Sequence, residues 1–104
     1  MNRFAFFFST ALLVITPFAA HASKALAEKN GCLGCHAVSV KLVGPAYKDV
    51  AAKYADQPDA TAMLATSIRA GGTGKWGEMA MPPQLQLSEA DAKKLAAWIL
   101  SGAK

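Results

Sequence analysis

Cys32-Leu33-Gly34-Cys35-His36 places two thiols three positions apart and an imidazole directly after the second. This is the spacing of covalent haem attachment. Each thiol can add across one vinyl group of the macrocycle, and a tight turn between them matches the distance between the two vinyls. The histidine that follows is then delivered beneath the iron as its proximal ligand. Counting ligands weighs against the other uses of paired cysteines. A structural zinc site takes four protein ligands, and with His21 in an N-terminal segment expected to be removed, the chain offers two cysteines and one histidine, so zinc would need an Asp, a Glu or a second chain. A thioredoxin-like dithiol sits in a strand–helix context within an α/β domain, and no strand pattern surrounds this pair. A disulfide closing so short a loop would add little stability. Cys32 and Cys35 are therefore expected to attach one haem, with His36 as an axial ligand.

The residues before this motif divide in two. Met1-Asn2-Arg3 makes a short positive start, Phe4 to Ala20 is almost wholly apolar, and Ala20-His21-Ala22 offers small residues where a signal peptidase reads. Cleavage before Ser23 is expected, with 1–22 a signal peptide and 23–104 the mature domain. The alternative is a permanent membrane anchor. The apolar run is at the short limit for spanning a bilayer, and Pro17 interrupts it. Export to the periplasm also suits the chemistry, because this kind of haem is attached outside the cytoplasm in bacteria. Without Arg3, ten Lys and Arg face seven Asp and Glu, and the lysines are scattered rather than gathered in a tract. Nucleic-acid binding is not expected on that pattern, and the lysines are read as solvated surface, with a weak docking face for an acidic partner as the alternative. A domain this short buries only about 60–65% of its unfolded surface, so a buried macrocycle would complete its core.

The rest of the chain reads as helices separated by turn signals. Ser23 to Asn30 keeps helical spacing at Ala25, Leu26 and Lys29, and Gly31 stops it. Val38 to Gly44 has no clean period and is expected as loop. Gly44-Pro45 is a turn signal, and Pro45 suits the start of a helix to about Tyr54. Tyr47, Val50, Ala51 and Tyr54 fall on one face of it. After Asp56-Gln57-Pro58, Asp59 can cap a helix to about Ala70 with Leu64 and Ile68 inward. Residues 71–87, rich in glycine and proline around Trp76, form a long loop. They lack the pattern of a phosphate-binding loop. Ser88, with Asp91 three residues on, starts the last helix. Ala92, Leu95, Trp98 and Ile99 make its apolar stripe, and Gly102 closes it. No segment alternates with period two, so the expected fold is all-α.

A haem held by one histidine needs a ligand on its other face. No second histidine survives processing, and lysine is normally protonated at neutral pH. Methionine is the natural choice, and its thioether raises the reduction potential. Of the three methionines beyond the signal peptide, Met63 is expected to fill core. Met79 and Met81 both lie in the long loop. Met81 is favoured, because Pro82-Pro83 stiffen the segment behind it, whereas Met79 has no such brace.

Gly31-Cys32-Leu33-Gly34-Cys35-His36-Ala37, Val43 to Tyr54, Trp76-Gly77 and Met81-Pro82-Pro83 together resemble a short bacterial class I cytochrome c. More narrowly, they resemble the periplasmic type that donates electrons to dissimilatory nitrite reductase or to terminal oxidases. The resemblance implies four to five short helices wrapped around one covalently attached haem c. It implies thioether links at Cys32 and Cys35 and axial ligation by His36 and Met81. It gives Pro45 a carbonyl that accepts the proximal imidazole proton and Trp76 an indole N–H directed to a haem propionate; simple packing is the plainer role for that tryptophan. Where such proteins often carry an arginine near a propionate this chain has Ser67, with Arg69 on a different face of the same helix. Gln84 stands where an asparagine bonded toward the methionine sulfur is usual, and Gln84 to Ser88 is one residue longer, a change expected to touch only a surface loop.

The implied function is single-electron carriage between redox proteins, an upstream cytochrome complex and a reductase or oxidase. The carrier is expected to be a monomer with no turnover chemistry of its own. The alternative is a haem catalyst or gas sensor whose methionine ligand is displaceable.

Overall fold

Helix α4, Glu89–Leu100, is the element against which the others pack: α1 (Phe18–Lys29), α2 (Tyr47–Tyr54) and α3 (Ala60–Ala70) all contact it. The computed structural model describes residues 9–12 and 18–104, and side chains for 9–12 and 22–104. Most of the expected signal peptide lies outside the described residues. Its cleavage site falls within α1, which begins at Phe18 rather than at Ser23.

The reason for the centrality of α4 is its breadth of apolar surface. Ala92, Leu95, Ala96, Trp98 and Ile99 are all buried, which covers more of the helix circumference than a single stripe and serves three neighbours at once. The start of α4 follows the expectation from its sequence. Ser88 is the N-cap, and its hydroxyl accepts the Asp91 backbone N–H at 3.1 Å. α3 presents Leu64, Ala65 and Ile68, and α2 presents Tyr47, Val50 and Tyr54. Leu87, just before α4, completes this core.

The described chain is all-α: among its residues no strand forms, and the one β-type contact is an isolated antiparallel bridge between Gly72 and Met81. Several local expectations shift. α2 starts at Tyr47, two residues after Pro45, because Ala46 is extended (φ −61°, ψ 143°) and its carbonyl accepts the first helical amides, from Asp49 and Val50. In α1 the fully buried residue is Ala27, while Ala25 and Lys29 are exposed. The apolar face that matters is set by where α4 lies, not by the spacing within α1. Asp59 occupies the N-cap of α3 without a side-chain hydrogen bond. Met63 is 42% exposed, so it does not fill the core: burial of Leu64, Ala65 and Ile68 turns its side of α3 to solvent. The Gln84–Ser88 segment is not wholly surface, since Leu87 within it is buried.

Candidate functional site

Between α2, α3 and the loop 71–84 lies a predominantly apolar cavity of about 340 Å³, within the usual span of ligand sites, roughly 300–1,000 Å³. Cys32, Cys35 and His36 line it, and so do Trp76, Met79 and Met81 from the long loop. Residues 40 and more positions apart in sequence are thereby brought to one hollow.

The cysteine side is built from a local turn. α1 ends at Lys29, and Gly31 takes a left-handed conformation (φ 73°) that reverses the chain into a 3₁₀ turn over Cys32–Gly34. The His36 amide donates to the Cys32 carbonyl at 2.9 Å, so both thiols and the imidazole come from one compact unit. Cys32 is partly buried and Cys35 exposed, and neither is in a disulfide. Burial pushes the Cys32 thiol above its ordinary value, which keeps it neutral.

The imidazole is held from three directions. Its Nδ1 lies 2.8 Å from the Pro45 carbonyl. A carbonyl can only accept, so Nδ1 is the nitrogen that carries a proton in this contact, and in the neutral ring the lone pair is on Nε2. Tyr47 stacks on the ring at a centroid distance of 5.3 Å and an angle of 17°, and Trp98 supports Tyr47 edge-on at 5.5 Å. Gly44 closes the third side: a Cβ there would collide with the His36 ring. The loop 38–44 is folded back to make this approach, with the Gly44 amide donating to the Cys35 carbonyl at 2.7 Å.

The facing loop is clamped at its base. Gly72 and Met81 exchange two backbone hydrogen bonds, 3.0 and 2.9 Å. Gly71, at φ 66°, lets the strand-like pair come together, since a Cβ there would run into the Met81 carbonyl and the Pro82–Pro83 backbone. Met81 packs against the core, whereas Met79 is 70% exposed although it also reaches the cavity. Trp76 is partly exposed, with the Lys53 ammonium 4.4 Å above its ring. Ser67 lines the cavity. Arg69 does not, because it turns away to the Leu87 carbonyl and to Glu89. The Gln84 side-chain amide donates to the Pro82 carbonyl at 2.9 Å.

Two groups at this cavity carry no functional signal in the sequence: Tyr54 falls on the apolar face of α2, and Lys75 is one of the scattered lysines. Nothing in their spacing signals that the Lys75 ammonium donates to the Tyr54 hydroxyl at 2.9 Å.

The donor set suits a covalently attached haem: two thiols beside an imidazole with a free nitrogen, and a thioether lining the same apolar hollow. The cytochrome c family model matches residues 20–103. Cytochrome c-552 of Nitrosomonas europaea is 50% identical over 94 residues, covering 90% of each chain. Cytochrome c-551 of Pseudomonas aeruginosa is 51% identical over 76 residues, 73% of this chain and 72% of that protein. The crystal structure of the wild-type Nitrosomonas europaea cytochrome c552 superposes with a TM-score of 0.72 at 55% identity, covering 75% of this chain and 96% of that one. The chain belongs to the cytochrome c family as a class I member with one covalently attached haem c.

Proposed function

We propose that this chain is a periplasmic electron carrier in which His36 and Met81 hold the iron and Cys32 and Cys35 the vinyl carbons. The observation that carries the reading is the convergence of His36 and Met81 on one cavity, each fixed by its own backbone clamp. When bound, the haem supplies a one-electron Fe(III)/Fe(II) couple. The residues supply the rest. The Pro45 carbonyl keeps the proton on Nδ1 and fixes the ring, which sets the donor strength of Nε2. The Gly72–Met81 bridge and Pro82-Pro83 fix the segment that carries the thioether, so His36 and Met81 would hold the iron between them and leave no place on it for a substrate. The apolar lining excludes water and keeps rearrangement small as the charge changes.

Met81 rather than Met79 is assigned the ligand role, because Met81 packs on the core and Met79 is mostly in solvent. Residues 1–22 act as a signal peptide removed before Ser23. Delivery of electrons from an upstream cytochrome complex to a nitrite reductase or terminal oxidase is the role that the resemblance to cytochromes c-551 and c-552 supports.

The test is carbon monoxide binding to the reduced protein. The unmodified protein is expected to be low-spin in both oxidation states and to bind CO poorly. Met81→Ala should open the iron to CO, and Met79→Ala should leave it closed. The opposite pattern would reverse the ligand assignment, and ready CO binding by the unmodified protein would favour a gas-binding or catalytic role instead.

A further inference from the structure

Lys75 is the one lysine or arginine among the described residues lining the cavity, and no aspartate or glutamate lines it. Lys75 is itself exposed to solvent, so its ammonium sits at the open edge of an otherwise predominantly apolar hollow. Among the described residues the ion pairs are Arg69–Glu89 and Lys94–Asp91, and neither involves Lys75.

Lys75 is nonetheless held in place. Its ammonium donates to the Tyr54 hydroxyl at 2.9 Å, and the Lys53 ammonium donates to the Lys75 carbonyl at 3.1 Å. Two adjacent residues of α2 thus grip the side chain and the backbone of Lys75. The Tyr54 phenol registers the surrounding charge. Burial would raise its pKa, but hydrogen bonds from Lys75 and Ser67 and the charges of Lys75 and Lys53 outweigh burial and lower it.

We propose that Lys75, positioned by Tyr54 and Lys53, is the counter-charge for a carboxylate side chain of the bound haem, with Ser67 as a further polar contact. This rests on the haem reading above. The chemistry is that of any carboxylate placed at the edge of an apolar site. It stays ionised where a cation faces it, and Lys75 is the cation that faces inward, while Arg69 is turned to the opposite side of α3. The charged and titratable groups around that position are Lys53 and Tyr54 on α2 and Lys75 on the loop; α3 contributes the neutral Ser67. Lys75 therefore acts on the potential through the carboxylate, as a positioning and charge-balancing residue.

The experiment is protein-film voltammetry of the haem-loaded protein across pH. Loss of a cation beside a carboxylate raises its pKa by about 1–3 units. Lys75→Met should therefore move the inflection of potential against pH upward by about one unit or more, and lower the potential at neutral pH. Tyr54→Phe should shift the inflection in the same direction by less, Lys75→Arg should restore the original profile, and the remote Lys93→Met should leave it unchanged. Lys75→Gln makes the same test if the methionine variant does not mature. An unmoved inflection in Lys75→Met or Lys75→Gln overturns the assignment, as does slower electron transfer to a redox partner with an unmoved inflection, which would mark Lys75 as a docking residue. A wild-type protein with no covalent haem would instead overturn the haem reading itself.

Discussion

Gly44 has no side chain because the His36 ring occupies the place where one would be. A Cβ there would sit 2.8 Å from Nδ1 and 2.9 Å from Nε2, far inside contact distance, and neither neighbour can give way. The ring is stacked on buried Tyr47, and its Nδ1 is tied to Pro45. Gly44→Ala is thus an overpacking change, costing about 1–3 kcal/mol, and it should also alter the absorption spectrum by tilting the imidazole. A guanidinium midpoint equal to that of the parent protein would show that the ring can move after all. In sequence, Gly44-Pro45 reads as a turn; its actual use, close approach to the imidazole and a carbonyl for Nδ1, depends on the loop 38–44 folding back and is not written in the dipeptide.

At the level of elements, the helices were legible where local rules and tertiary demands agree. Ser88 and Asp91 carry a cap that works through neighbouring backbone alone, so it can be read without knowing the fold. Ser88→Ala should cost about 1 kcal/mol, seen as a lower denaturant midpoint with an unchanged m-value and an unchanged reduction potential. A drop in potential would mean that the start of α4 is coupled to the cavity through Leu87, whose carbonyl receives Arg69. The phase of α1 and the exposure of Met63 were not legible, because the partner that selects the buried face is α4. Periodicity says that a helix has a face; only packing says which residues fill it.

For the molecule as a whole, the aromatic stack from His36 through Tyr47 to Trp98 joins the cavity to the core beneath α4. Burial, reinforced by Cys32, pushes the Tyr47 phenol far above its ordinary value. With thioether links formed, burial remains as the cause. A folded-state value raised above the unfolded one of about 10 leaves stability intact below pH 10. Stability is then lost as pH rises toward the folded value, by at most about 1.4 kcal/mol per pH unit. Urea titrations above pH 10 should show this decline in the parent protein and a shallower one in Tyr47→Phe. Equal slopes would mean that Tyr47 ionises in place without unfolding the chain. The comparison is clean because the chain has two tyrosines, so the variant leaves Tyr54 alone.

By itself the sequence determined the family chemistry and the helical class. The spacing from Cys32 to His36 survives into a single local turn, and cap and stop residues act over three or four positions. The tertiary structure alone decided which side chains share the hollow. Met81 meets His36 there through the Gly72–Met81 bridge, and Lys75 rather than Arg69 faces inward because α2 grips one and Leu87 and Glu89 hold the other. Those outcomes depend on contacts between residues far apart in the chain, which no local spacing encodes.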